Sequence, residues 1–311
     1  MKNKEKNFVS GTIYVHNAEK NIGDFLKMII QVFEENFEHS EIICVNDYSS
    51  DNSIQKIKEI SSLAKNTSIS ILNMSYYHGL EVAMNAGLDL TIGDFVFEFD
   101  STRMDYDPKE IMNTYYHSLK GYDIVSASPD KKQKLSSSLF YYAFNKFTNL
   151  SYKMHTESFR ILSRRVINRI KSMNKAVIYR KVIYSNSGLK TDNITYTIKK
   201  SVNIIESKEK GYRSGLAVDS LIMFTDIGYK VSFLLTVLMM FVSVFMIVYS
   251  ISVYFSGSPT EGWTTTILFL SFAFFGLFAI LTIVIKYLQL LIDLVFKRKR
   301  YNFESIEKLT K

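Results

Sequence analysis

The sequence predicts an α/β domain with a doubly wound, mostly parallel sheet, followed by a C-terminal two-helix transmembrane hairpin. Two observations lead to this fold class. In residues 8–100, short apolar runs alternate with longer segments whose apolar residues recur at helical spacing, as in strands joined by crossover helices. Residues 231–255 and 264–285 contain no charged side chain, and each run is long enough to cross the hydrocarbon core as a helix.

The α/β domain is predicted to alternate strand and helix in strict order. Strands are expected at residues 8–15, 41–45, 68–74 and 95–99, and helices at 19–35, 52–64 and 79–90. The second strand is almost entirely apolar, as expected of a parallel strand that is buried on both faces. Residues 176–184 and 194–198 mix short apolar and polar runs, which predicts two further strands in a small mixed extension of the sheet.

Much of the basic charge that gives the chain a net charge of +8 flanks the two apolar runs. Residues 297–300 are KRKR, whereas the loop 256–263 between the runs contains no Lys or Arg. We therefore expect an integral membrane protein, and the positive-inside rule predicts that both termini and the α/β domain lie on the cytoplasmic side. Basic flanks attract anionic head groups, so membrane lipids are expected partners and nucleic acid is not.

These features divide the chain into four predicted parts. They are an α/β domain at 1–205, an amphipathic juxtamembrane segment at 206–230, a membrane region at 231–290 with helices at 231–255 and 264–288, and a basic cytoplasmic tail at 291–311. The second membrane helix contains the small residues Ser271, Ala273, Gly276 and Ala279, which would let helices pack closely in a homo-oligomer. The single cysteine, Cys44, excludes a disulfide within the chain.

Polar residues follow each predicted strand, where ligands bind in sheets of this class. They are His16 and Asn17, Asn46 and Asp47, His78 and Gly79, and Asp100, Ser101 and Thr102. The chain contains neither a G-x-G-x-x-G nor a G-x-x-x-x-G-K-[ST] motif, so dinucleotide and P-loop sites lose their main support. Asp51 is suited to ligand contact or to capping the helix that follows it.

Three segments in this order resemble the inverting family-two glycosyltransferases of the GT-A fold. They are residues 15–22 (VHNAEKNI), residues 45–51 (VNDYSSD) and residues 78–87 (HGLEVAMNAG), the last followed by GD at 93–94 and FD at 99–100. Residues 158–166 (SFRILSRRV) and 213–216 (RSGL) resemble the polyprenyl-phosphate glycosyltransferases, the relatives of dolichol-phosphate mannose synthase.

This resemblance implies an inverting, membrane-bound enzyme that moves a sugar from a UDP- or GDP-linked donor to polyprenyl phosphate. The implied donor site comprises Val15, Asn17, Glu19, Asp47, His78, Gly79, Asp100 and Ser101. The implied catalytic residues are Asp100, Arg160 and Glu157, and the implied acceptor phosphate site comprises Arg160, Arg213 and Ser214. Two alternatives stay open: transfer to a lipid-linked glycan, and a catalytically degenerate scaffold that binds nucleotide.

The family's metal signature, D-x-D, is altered in this chain to Asp100-Ser-Thr102. The resemblance implies Mg²⁺ or Mn²⁺ on Asp100 and Thr102, although a hydroxyl replaces the second carboxylate. Asp105 or Asp107 could supply the missing oxygen, or Arg103 could replace part of the ion's charge. Asp107 is equally suited to capping a helix that starts at Pro108.

The need for a general base depends on the acceptor. A lipid phosphate is already an anion and needs no strong base, whereas a sugar hydroxyl requires one. Glu157 and Asp192 are the candidates for that role.

Overall fold

The computed structural model describes residues 3–130, 156–173, 179–185, 187–198 and 301–310, with individual helical positions between 142 and 146 and between 231 and 291. The chain divides into two compact units. The first comprises residues 1–216 and 298–311, and the second comprises residues 217–297.

The first unit is built on a mixed sheet whose described part has eight strands in the order β7-β5-β6-β4-β1-β2-β3-β8. The strands are β1 (Val9–Val15), β2 (Ser40–Asn46), β3 (Thr67–Met74), β4 (Phe95–Phe99), β5 (Ile124–Pro129), β6 (Phe159–Ser163), β7 (Thr191–Tyr196) and β8 (Phe303–Lys308). Strands β1 to β4 are mutually parallel, β6 runs antiparallel between β4 and β5, and β8 runs antiparallel to β3.

Helices cover both faces of this sheet, as the alternating pattern predicts. They are α1 (Ile22–Asn36), α2 (Ser53–Ser61), α3 (Leu80–Leu90), α4 (Lys109–Ser118), α5 (Arg164–Met173) and α6 (Arg180–Ser185). Buried residues of α1, α2 and α4 share one apolar cluster with the sheet, whereas those of α3 and α5 belong to two other clusters. The doubly wound α/β domain is therefore confirmed.

Close packing of α3 on the sheet depends on one glycine. A Cβ atom at Gly87 would lie 2.5 Å from Val45 Cγ2 and 2.6 Å from Thr12 Cγ2, so any side chain there would push α3 away from β1 and β2. On the opposite face, Phe33 and Phe97 are fully buried with their ring centroids 5.6 Å apart. Each such ring contributes roughly 1.5–3 kcal/mol through burial alone. The core thus fixes the strands whose ends carry the polar residues.

The structure differs from the sequence prediction in the sheet extension and in the C-terminal tail. The strand predicted at 194–198 corresponds to β7, but the described part of 176–184 is helix α6, so the strand prediction there is wrong. A short apolar run does not distinguish strand from helix, and in this helix the buried Arg180 places Nε 2.9 Å from Glu81 Oε2. Residues 303–308, which lie in the predicted basic tail, form the edge strand β8.

Most of the predicted membrane hairpin and all of residues 206–230 lie outside the described residues, as do Arg213 and Ser214. Among the positions that are described, no helix is both long and apolar enough to span a bilayer.

Candidate active site

The topology places the candidate site at the carboxyl ends of β1 and β4. The chain leaves β1 towards β2 and β3 on one side and returns to β4 on the other side, so the strand order reverses between β1 and β4. Ligands bind at such a switch point. Asp47 follows β2 and Asp100 follows β4, with β1 between them. Two strand spacings of about 4.8 Å therefore separate them along one edge of the sheet.

Asp47 is buried, and protein donors occupy both of its carboxylate oxygens. Oδ1 accepts the backbone N–H of His78 at 2.8 Å, and Oδ2 accepts the backbone N–H of Gly79 at 2.8 Å and the hydroxyl of Tyr14 at 2.9 Å. Gly79 has φ 83, which favours glycine, and directly precedes α3. The carboxylate therefore fixes the entry to α3. Its predicted contact with a nucleobase stays a prediction.

Glu19 and Asp51 bind backbone groups at the start of α2. Asp51 Oδ2 accepts the backbone N–H of Glu19 at 2.9 Å, and Oδ1 accepts that of Ser53 at 3.0 Å. Glu19 Oε2 accepts the backbone N–H of Asn52 at 3.0 Å. Burial acts to raise the pKa of Asp51, but the hydrogen bonds from Ser53 and Glu19 outweigh it and lower the pKa. These contacts support the capping role of Asp51.

The loops at this edge contain strained backbone and exposed rings. Asn17 and Tyr48 adopt positive φ angles of 48° and 56°, which non-glycine residues rarely adopt outside turns and functional sites. Tyr48 is 59% exposed. Asn17 Oδ1 accepts the backbone N–H of Ser50 at 2.9 Å, which ties the loop after β1 to the loop after β2.

Four aromatic rings line the same edge beside these loops. The His16 and Tyr77 ring centroids are 4.7 Å apart, and the Tyr76 and His78 rings stack with their centroids 4.0 Å apart. Tyr76 and Tyr77 are exposed. Large exposed rings beside a ligand-binding edge can stack on a planar ligand such as a nucleobase.

The three predicted catalytic residues converge on the other side of β1. Because β6 is antiparallel to β4 and Phe159 pairs with Phe99, the start of β6 lies beside the carboxyl end of β4. Arg160 Nη2 donates to Asp100 Oδ2 at 2.8 Å and lies 3.0 Å from Glu157 Oε1. The structure therefore brings Asp100, Glu157 and Arg160 together.

A second arginine, Arg180 of α6, binds the same carboxylate and extends the cluster. Arg180 Nη2 donates to Asp100 Oδ1 at 2.6 Å, Nη1 to Glu98 Oε1 at 2.7 Å, and Nε to Glu81 Oε2 at 2.9 Å. The next residue, Lys181, places Nζ 3.1 Å from Glu157 Oε1. We call these seven residues the charged cluster: Glu81, Glu98, Asp100, Glu157, Arg160, Arg180 and Lys181.

The charged cluster contains four carboxylates and three cations, almost all of them withdrawn from water. Glu98 is fully buried, and its Oε2 lies 3.1 Å from Arg160 Nη1 without forming a hydrogen bond. Burial raises the pKa of Glu98, and attraction to Arg180 and Arg160 only partly offsets it. Burial also acts to raise the pKa of Asp100, but attraction to Arg180 and Arg160 prevails and holds the pKa well below its ordinary range.

The side chains near Asp100 do not fit a divalent cation. Both Asp100 oxygens already accept from guanidinium groups, and Thr102 is buried. Asp105 Oδ1 accepts the hydroxyl of Tyr196 at 3.0 Å, and Asp107 Oδ1 accepts the backbone N–H of Lys109 at the start of α4 at 3.0 Å. Within the described part of the chain, no group of three or more His, Cys, Asp or Glu residues is arranged to hold a metal.

The remaining candidates lie elsewhere. Asp192 is paired in register with Val125 of β5, three strands from β4, and accepts from or pairs with His117 Nε2 at 2.8 Å. The structure therefore does not bring Asp192 to Asp100. Val15 ends β1, and its carbonyl accepts the backbone N–H of Asp47 at 2.8 Å. Ser101 directly follows Asp100.

Sequence reasoning missed Glu81, Glu98, Arg180 and Lys181. One signal was available, because Glu98 interrupts the apolar strand FVFEF and a charge buried in a strand needs a partner. Nothing in the sequence identified that partner as Arg180, which is 82 residues away.

This fold and site define the class of protein, and the comparisons agree. Residues 12–171, more than half of the chain, match the family described as glycosyl transferase family 2. The chain therefore belongs to glycosyl transferase family 2.

Relatives of the chain include three bacterial or phage proteins. An uncharacterized glycosyltransferase of Synechocystis sp. is 28% identical over 184 residues, which is 57% of each chain. The bactoprenol glucosyl transferase of Shigella phage SfX is 28% identical over 72% of this chain and 74% of its own. The undecaprenyl-phosphate 4-deoxy-4-formamido-L-arabinose transferase of Proteus mirabilis is 32% identical over 41% of this chain and 38% of its own. The match thus spans less than two thirds of the Synechocystis protein.

Solved structures show the GT-A fold for the first unit. Glucosyl-3-phosphoglycerate synthase from Mycobacterium tuberculosis, in complex with Mn²⁺, UDP and phosphoglyceric acid, superposes with a TM-score of 0.51 at 14% identity, over 70% of this chain and 78% of that chain. A mannosyltransferase from Pyrobaculum calidifontis, in complex with GDP-Man and Mn²⁺, gives a TM-score of 0.50 at 13% identity, over 71% and 63%.

Proposed function

We propose that this protein is an inverting glycosyltransferase that moves a sugar from a nucleotide sugar to polyprenyl phosphate at a membrane surface. The observation that carries the proposal is the convergence of Asp100, Glu157 and Arg160 at the carboxyl end of β4. The resemblance to polyprenyl-phosphate glycosyltransferases implies these three residues. Asp100 follows β4, whereas Glu157 and Arg160 lie at the start of β6.

The donor is proposed to lie along the edge between Asp47 and Asp100. The rings of Tyr48, Tyr76 and Tyr77 are exposed there and support stacking on a nucleobase. The sugar end of the donor then faces Asp100, which lies beyond β1 at the switch point. UDP and GDP donors both suit this arrangement.

The reaction is a single displacement at the anomeric carbon. An oxygen of the acceptor phosphate attacks that carbon from the face opposite the leaving group, and the bond from the carbon to the donor diphosphate breaks. The nucleoside diphosphate leaves with the electron pair, so the configuration inverts.

The charged cluster favours a phosphate acceptor over a sugar hydroxyl. Glu157, the candidate base, has its Oε1 3.0 Å from Arg160 and 3.1 Å from Lys181, so two cations already bind this carboxylate. A hydroxyl acceptor would need such a base, whereas a phosphate anion does not. Arg160, together with Arg213 and Ser214, is the proposed contact for the acceptor phosphate.

A membrane location is part of the proposal and rests on the second unit. Residues 231–255 and 264–285 contain no charge. Among their described positions, Phe241 is 72% exposed and Phe275 is 73% exposed. Large apolar surface of this kind marks a membrane or protein contact. A Cβ at Gly276 would lie 2.7 Å from Met239 Cε, which supports close packing of two helices.

Transfer of a radiolabelled sugar into butanol-extractable lipid tests the function. Membranes that contain the protein, a panel of UDP- and GDP-sugars and polyprenyl phosphate should yield an acid-labile lipid product. Asp100→Ala should abolish this transfer while the protein still inserts into membranes, and Asp192→Asn should retain it. An acid-stable product would favour a lipid-linked glycan as the acceptor. No turnover with any donor would contradict the proposal and favour a nucleotide-binding scaffold.

A further inference from the structure

The pairing of Asp100 with two arginines bears on the divalent cation that the altered D-x-D motif would hold. Asp100 is the one carboxylate of the Asp100-Ser101-Thr102 segment, and its side chain is 22% exposed, against 2% for Arg160 and Arg180. We infer that Arg160 and Arg180 occupy the charge-balancing positions beside Asp100, so that Asp100 and Thr102 form no divalent-cation site. Arg180 is then a positioning residue for Asp100.

Geometry supports the inference first. Divalent cations of the Mg²⁺ type take several oxygen ligands, usually with one or two carboxylates among them. Asp100 gives one oxygen to each guanidinium, at 2.6 Å from Arg180 and 2.8 Å from Arg160. Asp105 and Asp107 are engaged by Tyr196 and by the start of α4. The two aspartates that could supply the missing carboxylate therefore bind other partners.

Charge supports the inference independently. A divalent ion that bound Asp100 would lie within a few ångströms of two guanidinium groups, which repel it. The neighbouring carboxylates do not compensate, because Glu81 and Glu98 are themselves paired with Arg180, and Glu157 is paired with Arg160 and Lys181. Each carboxylate oxygen of Asp100 already faces a guanidinium group.

The position of Arg180 explains why its role is positioning. Arg180 holds Glu81 of α3, Glu98 of β4 and the Asp100 that follows β4 through three separate nitrogens. These three bonds orient Asp100 from within the protein, where the side chain of Arg180 is 2% exposed. This part of the inference rests on the proposed function, because it concerns the orientation of the proposed catalytic carboxylate.

Mn²⁺ binding measured by electron paramagnetic resonance tests the inference without any turnover. The full-length protein should leave the six-line signal of free Mn²⁺ unchanged at equimolar concentration. Arg180→Met removes a cation beside Asp100. It should lower the dissociation constant for Mn²⁺ by about tenfold or more. Arg180→Lys should restore the weak binding, and Arg165→Met, which alters an exposed arginine, should match the wild type. Stoichiometric loss of the free signal with wild-type protein would overturn the inference.

A nucleotide titration covers the case in which Arg180→Met fails to fold. Calorimetry of the wild-type protein with UDP and with GDP should give dissociation constants in EDTA and in Mn²⁺ that agree within about threefold. Affinity that appears only with Mn²⁺ would overturn the inference and leave the proposed function standing. Absence of binding in both buffers, with the Mn²⁺ signal unchanged, would instead count against the proposed function.

Discussion

Two aspartates at one edge of the sheet are held in opposite ways. Asp47, on the β2 side, accepts from uncharged donors, two backbone N–H groups and a tyrosine hydroxyl. Asp100, on the β4 side, accepts from two guanidinium groups. The hydrogen bonds to Asp47 fix the shape of a loop. The charged cluster around Asp100 joins four separate elements, α3, β4, β6 and α6. The contrast indicates that the β2 side shapes the binding edge and the β4 side carries the chemistry.

The largest expected effect lies on the β4 side. Arg160→Met removes a cation from a buried cluster and leaves Glu98, Asp100 and Glu157 short of charge compensation, which should lower the free energy of unfolding by about 3–5 kcal/mol. Arg165→Met, at a side chain that is 70% exposed, should change it by less than about 0.5 kcal/mol. Urea unfolding measures both variants. Equal changes in the free energy of unfolding for the two variants would contradict the role given to the charged cluster on the β4 side.

A smaller effect is expected on the β2 side. Asp47→Asn keeps the shape of the side chain but replaces one accepting oxygen with an NH₂ group, which faces a backbone N–H or Tyr14. Loss of an acceptor for a buried donor should lower the free energy of unfolding by about 1–3 kcal/mol. The same urea assay measures it. A loss larger than that of Arg160→Met would contradict the division of roles.

The pH dependence sharpens the contrast further. The folded pKa of Asp100 lies below its unfolded value, so its stabilisation is complete at neutral pH and is lost only as the pH falls through the folded value. The stability difference between wild type and Asp100→Asn should therefore be constant from neutral pH down to about pH 4, the ordinary carboxyl value, and shrink below it. Unfolding measured from pH 7 to pH 3 gives this difference. A difference that disappears near pH 6 would show that Asp100 is not held as an ion pair.

The smallest expected effect concerns the C-terminal segment that forms β8. The Tyr301 hydroxyl donates to Asp89 Oδ2 at 2.8 Å, and Asn302 donates its backbone N–H to His78 Nε2 at 3.3 Å. Tyr301→Phe should lower the free energy of unfolding by about 0.5–1.5 kcal/mol, the net value of one hydrogen bond. The expected activity is unchanged, because Asp89 lies at the far end of α3 from Gly79. A large loss of sugar transfer would show that β8 contributes to the site.

The sequence predicts the β2 side of the site better than the β4 side. The apolar runs of β1 to β4 and the polar residues after them predicted the sheet and the position of Asp47, because strand period and burial are local properties. The resemblance supplied Asp100, Glu157 and Arg160. Arg180 could not be predicted, since its role depends on helix α6 packing beside β4. The strand β8 was missed because FESIEK is charged and largely exposed, unlike a buried strand.

A structure of the protein with bound UDP or GDP tests the central claim most directly. The account predicts the base beside Tyr48, Tyr76 and Tyr77, and the diphosphate across the end of β1, directed towards Asp100. A nucleotide bound elsewhere on the protein, with the edge between Asp47 and Asp100 unchanged, would contradict it.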